Sequence, residues 1–95
     1  MPAYLITAIE VIDPKGYEAY RARVGQSLEE YEAQFLVRGG EIDVLEGDWQ
    51  PRRIIMRIFD SMNKARKWYR SDGYQELNRL RKDTAAMNLV AVEGV

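Results

Sequence analysis

Neither cysteine nor histidine occurs anywhere in the chain. Their absence excludes disulfides, thiolate nucleophiles and zinc sites built from Cys and His. It also removes the usual general base and the usual haem ligand. Any acid–base chemistry falls to carboxylates, Tyr, Lys or Arg, or to the substrate itself, and neither a metal nor a cofactor is expected. Long apolar runs are lacking too. The first, from Ala3, is broken by Thr7 and Glu10, and Met1-Pro2-Ala3-Tyr4-Leu5-Ile6 has neither a basic stretch nor a small-residue cleavage site. No signal peptide or membrane span is expected, so the default location is cytoplasmic. No basic run interleaved with aromatics tracks a phosphate backbone, which argues against a nucleic-acid partner.

What is present is ordinary for a soluble domain: 46% hydrophobic and 31% charged residues in a chain of 95. One domain, residues 1–95, is expected. At this size folding buries roughly 60–65% of the unfolded surface, so the core is small and oligomerisation is a common remedy. The net charge of −1 is unevenly spread. Residues 1–50 carry ten acids and four bases, residues 51–95 five acids and ten bases. The first reading of that split is two neighbouring faces that attract; an anion-binding patch is the second.

From Ala3 to Ile12 β-branched and apolar residues occupy both parities, which predicts a central strand buried on both faces. Glu10 is its only charge. Asp13 suits an N-cap and Pro14 the first helical position. Tyr17, Tyr20, Val24, Leu28 and Tyr31 then form an amphipathic stripe. The stretch Phe35–Arg53 organises the middle. Its apolar phase flips across Gly39-Gly40, which predicts one long strand bent at a β-bulge there; a tight hairpin is the rival reading. Gly47-Asp48-Trp49-Gln50-Pro51 reads as a turn. Arg53 to Phe59 is another two-sided apolar strand, with Arg57 its odd member. Ser61 starts a short helix through Met62, Ala65, Trp68 and Tyr69. Ser71-Asp72-Gly73 breaks it, and a further helix places Tyr74, Leu77, Leu80 and Arg81 on one face. Met87 to Glu93 is the last strand.

The order β-α-β-β-α-β, with the second helix split, predicts a ferredoxin-like α+β sandwich with both helical layers on one sheet face. The other face is apolar as well, so a homodimer packed sheet against sheet is expected.

Several pieces then resemble a known family. They are Tyr4-Leu5-Ile6; Asp13-Pro14 with Tyr17 and Tyr20; Phe35-Leu36-Val37-Arg38-Gly39-Gly40; and Leu45-Glu46-Gly47 with Trp49 and Arg52. Trp68-Tyr69 with Ser71 and Tyr74, then Leu80-Arg81 and Val92-Glu93-Gly94, complete the set. Together they resemble the domain of unknown function 1330 family, short bacterial proteins of the dimeric α+β barrel superfamily, over essentially the whole chain. The resemblance implies a ferredoxin-like protomer and a barrel of two packed sheets. It implies no reaction, although related barrels include cofactor-free monooxygenases. The chain departs from the pattern at Glu32-Ala33, where a glycine pair is usual, at Arg57, where an acid is common, and at Asp60, where proline is common.

A pocket is expected between sheet and helices. Arg38, beside the expected bulge, is the candidate for holding an anionic group through paired hydrogen bonds, and Glu46 the candidate for moving a proton. Trp68, Tyr69, Ser71, Tyr74 and Arg81 are the candidate substrate-binding residues. Set against these are plainer roles: Arg38 capping carbonyls or pairing with Asp43 or Glu46, and Glu10 and Glu46 pairing with Arg52 or Arg53; Trp49 reads first as an interface anchor and second as a lid. The expected function is a small-molecule-binding homodimer, with cofactor-independent chemistry on a small aromatic or carbonyl-containing metabolite as its enzymatic form. The alternative is a non-catalytic protein-interaction or regulatory module.

Overall fold

The structure is a computed structural model that describes residues 1–95. Its elements are β1 (Ala3–Val11), α1 (Pro14–Glu29), β2 (Gln34–Arg38), β3 (Arg53–Phe59), α2 (Met62–Arg70), α3 (Asp72–Arg81) and β4 (Ala85–Glu93). The four strands form one antiparallel sheet in the order β2-β3-β1-β4. The molecule is a slab only 17 Å thick, the depth of one sheet and one helical layer.

Parity decides which side chains enter the core. On β1 Ala3, Leu5, Thr7 and Ile9 are buried, whereas Tyr4, Ile6 and Ala8 are only half-buried. The buried set meets Tyr20 and Leu28 of α1, Ala65 and Trp68 of α2, and Tyr74 and Leu77 of α3 in one cluster. The helices therefore cover one sheet face. Across the ladder Ile6 pairs with Met56 and Val90, and Tyr4 with Ile58 and Val92, so the uncovered face is apolar. Val90 and Val92 are about half exposed there (56% and 49%).

Local signals set the helix starts. Asp13 Oδ1 accepts from the Gly16 N–H at 3.1 Å, and Pro14 follows at the first turn, where its missing donor is harmless. Ser61 caps α2 through Lys64 N–H. Ser71 caps α3 through Tyr74 N–H and donates to the Trp68 carbonyl at 2.7 Å, so one hydroxyl both ends α2 and starts α3. Leu80 departs from its expected inward face and is 43% exposed.

The expected long bent strand is not formed. β2 ends at Arg38, and residues 39–52 adopt no regular structure. A bulge is present, but earlier: Phe35 faces Arg57 and Val37 faces Met56, leaving Leu36 as the extra residue. Gly39 donates one more ladder bond to the Ile54 carbonyl at 3.0 Å and then turns the chain away with φ +71°. A Cβ there would meet the Arg53 guanidinium at 2.7 Å. The glycine is thus the strand's exit and not its bend. The tight hairpin is absent as well, because the whole 39–52 segment separates β2 from β3.

Candidate functional site

A small cavity of about 70 Å³ lies between the sheet and α1. Its floor is the inward parity of all four strands, including Leu5, Thr7 and Ile9 of β1 and Met87 and Leu89 of β4. Its roof is the α1 stripe Tyr17, Tyr20, Val24 and Leu28, with Trp68 of α2 closing one end. Those roof residues recur three to four apart, so a single helical face supplies them. The polar groups in this mostly apolar lining come from Thr7, Tyr17, Tyr20, Arg57 and the Trp68 indole.

Beside it runs a wider groove of about 310 Å³, lined by Met62, Ala65, Tyr69 and Ala91 among others. Groove and cavity share Leu5, Trp68 and Leu89 as walls. Trp68 is held in place: it is 1% exposed, and its indole N–H donates to Ser27 Oγ at 3.1 Å.

Behind Trp68 stands an aromatic stack. The Trp68 and Tyr74 rings are 4.2 Å apart, and Tyr69 and Tyr74 5.5 Å. The Tyr20 and Tyr74 hydroxyls share a buried hydrogen bond of 3.1 Å. Burial pushes the Tyr17, Tyr20 and Tyr74 phenols above their ordinary value. At neutral pH they are uncharged hydroxyls, able to donate and accept hydrogen bonds but not to act as phenolate bases.

Arg57 is the charged member of the cavity wall and is only 5% exposed. Its Nη1 donates to the Ala33 carbonyl at 3.1 Å, and its Cζ lies 3.5 Å from the centre of the Phe35 ring. Arg38 sits over the same ring at 4.5 Å. The Leu36 bulge makes this possible, because it restores Arg38 to the parity of Phe35, opposite Ile55. Neither guanidinium has a carboxylate within 4.0 Å. Burial lowers the Arg57 pKa, Glu29 opposes that fall, and Arg38 adds to it.

The structure therefore brings together some of the expected site residues and separates others. Trp68 walls both voids, Tyr69 lines the groove, and Tyr74 backs Trp68. Ser71 lies in a shallow basic hollow with Tyr31, Asn63, Arg66, Lys67 and Arg70. Arg81 is folded back onto Asn78 Oδ1 (2.6 and 3.0 Å) and the Ala85 carbonyl (3.0 Å). Arg38 is exposed over the Phe35 ring, and Glu46 is exposed on the 39–52 segment without an ion pair. Glu10 meets Arg52 at 3.9 Å, the pairing expected for it. Thr7, Tyr17, Tyr20 and Arg57 were not among the expected site residues, although the family resemblance marked Arg57 as a cation where an acid is common and the α1 tyrosines had an aromatic pocket as their second reading. Parity gave the usable signal for Arg57: it occupies the same register face as Phe59 and Leu5. No group of three or more His, Cys, Asp or Glu stands close enough to hold a metal ion.

The model of the family described as Domain of unknown function (DUF1330) matches residues 2–95. No curated relative matches the chain. Among solved structures, a protein of unknown function from Rhodopseudomonas palustris superposes with a TM-score of 0.74 at 17% identity, over 99% of this chain and 82% of that one. SnoaB, a cofactor-independent oxygenase from Streptomyces nogalater, superposes with a TM-score of 0.68 at 12% identity, over 99% and 93%. A dimeric ferredoxin-like protein of unknown function from a Jannaschia species gives 0.71 at 9% identity, over 99% and 100%. At such identities the likeness establishes the fold, a ferredoxin-like α+β sandwich, and nothing of the chemistry.

Proposed function

The chain belongs to the DUF1330 family, and from that premise we propose that it works as a homodimer that binds a small molecule between sheet and helices. The observation that carries the binding half is the paired void. A groove of about 310 Å³ shares Leu5, Trp68 and Leu89 with an inner cavity whose apolar wall holds a few fixed polar groups. Small-molecule sites have this character, mostly apolar with a few placed polar groups. Trp68 and Tyr69 would form the wall against the ligand, and Tyr74 would stiffen it from behind. Ser71 would act through the α2–α3 corner and Arg81 from the far end of α3, each tied to a backbone carbonyl.

The dimer half follows from the uncovered sheet face. Ile6, Met56, Ile58, Val90 and Val92 lie together there, and a second copy laid back to back would remove them from water. The Jannaschia protein of the same fold is described as dimeric. The enzymatic form of this reading, cofactor-independent turnover of a small aromatic or carbonyl-containing metabolite, draws on the fold shared with SnoaB. In it Arg38 attracts the anionic group and Glu46 moves a proton once residues 39–52 close over the site. The alternative, a protein-interaction module, draws on the same segment: Leu45 (86% exposed) and Trp49 (62%) are large apolar residues in water.

Native mass spectrometry of protein purified without added ligand tests both halves. The expected species is twice the 11.0 kDa protomer, carrying a small molecule that denaturation releases. A stable monomer at micromolar concentration defeats the dimer. A ligand-free dimer that also fails to take up any aromatic or carbonyl compound, together with capture of another protein through Trp49, favours the interaction module.

A further inference from the structure

We propose that the inner cavity is a carboxylate-binding site, with Arg57 as the residue that grips the anion. The proposal rests on the small-molecule reading above and names the chemistry of the ligand. Three observations carry it. Arg57 is 5% exposed and lines the cavity. Its guanidinium has five N–H donors, and its protein hydrogen bond goes from Nη1 to the Ala33 carbonyl. No acid of the chain lies within 4.0 Å of it. A buried charge without a counter-charge is costly, and proteins pair such charges as a rule. Glu29 acts on it only from beyond that distance, so no carboxylate of the chain closes on the guanidinium and that place is open to a ligand.

The second cation points the same way. Arg38 and Arg57 lie over one ring, that of Phe35, at 4.5 and 3.5 Å. Two like charges brought to one aromatic ring repel each other, and an anion between them offsets that repulsion. Arg38 is exposed and Arg57 is inside, so Arg38 would steer an anion inward and Arg57 would hold it through paired N–H···O bonds. Size narrows the class. About 70 Å³ is the room of two or three waters at roughly 30 Å³ each, which suits a carboxylate group with one or two carbons. A larger acid would place its carboxylate here and its remainder beyond Trp68, in the groove. The walls Leu5, Ile9 and Val24 offer that first carbon an apolar contact.

The test compares acids with their uncharged amides. Acetate, propionate and benzoate are titrated against acetamide, propionamide and benzamide, with thermal unfolding as the readout and sodium chloride holding ionic strength constant. The acids are expected to raise Tm with dose while the amides leave it unchanged. Arg57→Met is expected to weaken acid binding at least tenfold. Gly25→Asp supplies a check that does not depend on deleting the arginine. A Cβ at Gly25 would sit 3.9 Å from Arg57 Nη2 in open contact, so the new carboxylate reaches the guanidinium from α1. This variant is expected to have a higher Tm without ligand and to lose the response to acids. If amides bind as well as acids and Arg57→Met changes neither, the cavity binds ligands but the carboxylate assignment is overturned. An equal response to chloride overturns it as well. If neither acids nor amides act on the wild type, the small-molecule reading of this cavity falls with it.

Discussion

Replacing Tyr20 with phenylalanine tests the stack that backs the site. The Tyr20 and Tyr74 hydroxyls meet at 3.1 Å, and the residues are 4% and 1% exposed. Tyr20→Phe would keep the ring, its edge contact with Tyr74 at 6.3 Å and its contact with Tyr17 at 5.5 Å. What it removes is one oxygen. The Tyr74 hydroxyl is then buried without that partner, at a cost of about 1–3 kcal/mol. Tyr74→Phe leaves Tyr20 in the same position, with a cost in the same range. The double variant orphans neither group and loses only the net worth of one hydrogen bond, about 0.5–1.5 kcal/mol. The two single losses together therefore exceed the double loss, with a coupling of about 3 kcal/mol at the midpoints of those ranges. In a domain of 95 residues each kcal/mol moves Tm by roughly 4–8 °C. Urea unfolding followed by tryptophan fluorescence reads the effect, since Trp68 lies against Tyr74. Protein concentration is held fixed, because the stability of a dimer depends on it. Strict additivity of the two single variants would refute the hydroxyl pair and with it the rigidity ascribed to the wall.

Three further outcomes are expected. The phenols of Tyr17, Tyr20 and Tyr74 are raised above their ordinary value of 10.0, first of all by burial. The fold then holds protons that the unfolded chain releases, so stability is intact below pH 10 and falls as pH rises past it. Absorbance at 295 nm should show these three ionising only as the protein unfolds, and free titration of all six tyrosines in folded protein would contradict the burial argument. Glu32 has φ +59°, a left-handed conformation costing a Cβ-bearing residue about 1–2 kcal/mol. Glu32→Gly should therefore be more stable than Glu32→Ala by about that amount in urea unfolding, since both variants lose the Lys64 ion pair equally. Met56→Lys puts a charge at the middle of the uncovered face, opposite Ile6. Light scattering should then find the 11.0 kDa protomer with unchanged far-ultraviolet circular dichroism.

Legibility in the sequence followed how local each signal was. The caps at Asp13 and Ser61 were readable because a hydroxyl or carboxylate needs only the next turn to act on, whereas Ser71 was read only as part of a break. The strands were readable because their apolar residues fill both parities, and the sandwich followed from their order. The usual glycine pair at Glu32-Ala33 gained its reason only in the structure, where Glu32 takes the left-handed turn a glycine would take without strain. The middle departs from its sequence reading for a physical reason. A phase flip across Gly39-Gly40 has two causes, a bulge within a strand or the end of pairing altogether. Sequence alone does not separate them, because the choice depends on whether a neighbouring strand is within reach. Beyond Ile54 none is, so the ladder stops at Gly39. Arg57 was visible as an odd residue in an apolar strand, but its depth was not. That depth depends on α1 lying over it and on Phe35 beneath its guanidinium.

The placement of these exceptions bears on where function sits. At the α2–α3 end of the molecule every local rule agrees: caps are made, the stripe is apolar, and Trp68 and Tyr74 have hydrogen-bond partners. At the β2–β3 end they do not. A strand bulges at Leu36, a lone arginine enters the core at Arg57, a second arginine is brought beside it, and the chain then leaves the sheet for residues 39–52. Each departure costs stability, and chains keep such departures mainly where a site requires them. The bulge and the two arginines are also one device: were Leu36 paired in regular register instead of bulging, Arg38 would fall on the opposite parity and face away from Phe35 and Arg57. Deleting Leu36 should therefore abolish the bulge yet keep the second cation opposite Ile55, on the Phe35 face, while leaving the α2–α3 end folded. That argument ties the irregular middle of the chain to the buried arginine, and it makes the cavity, with the groove beyond Trp68, the place to look for the ligand.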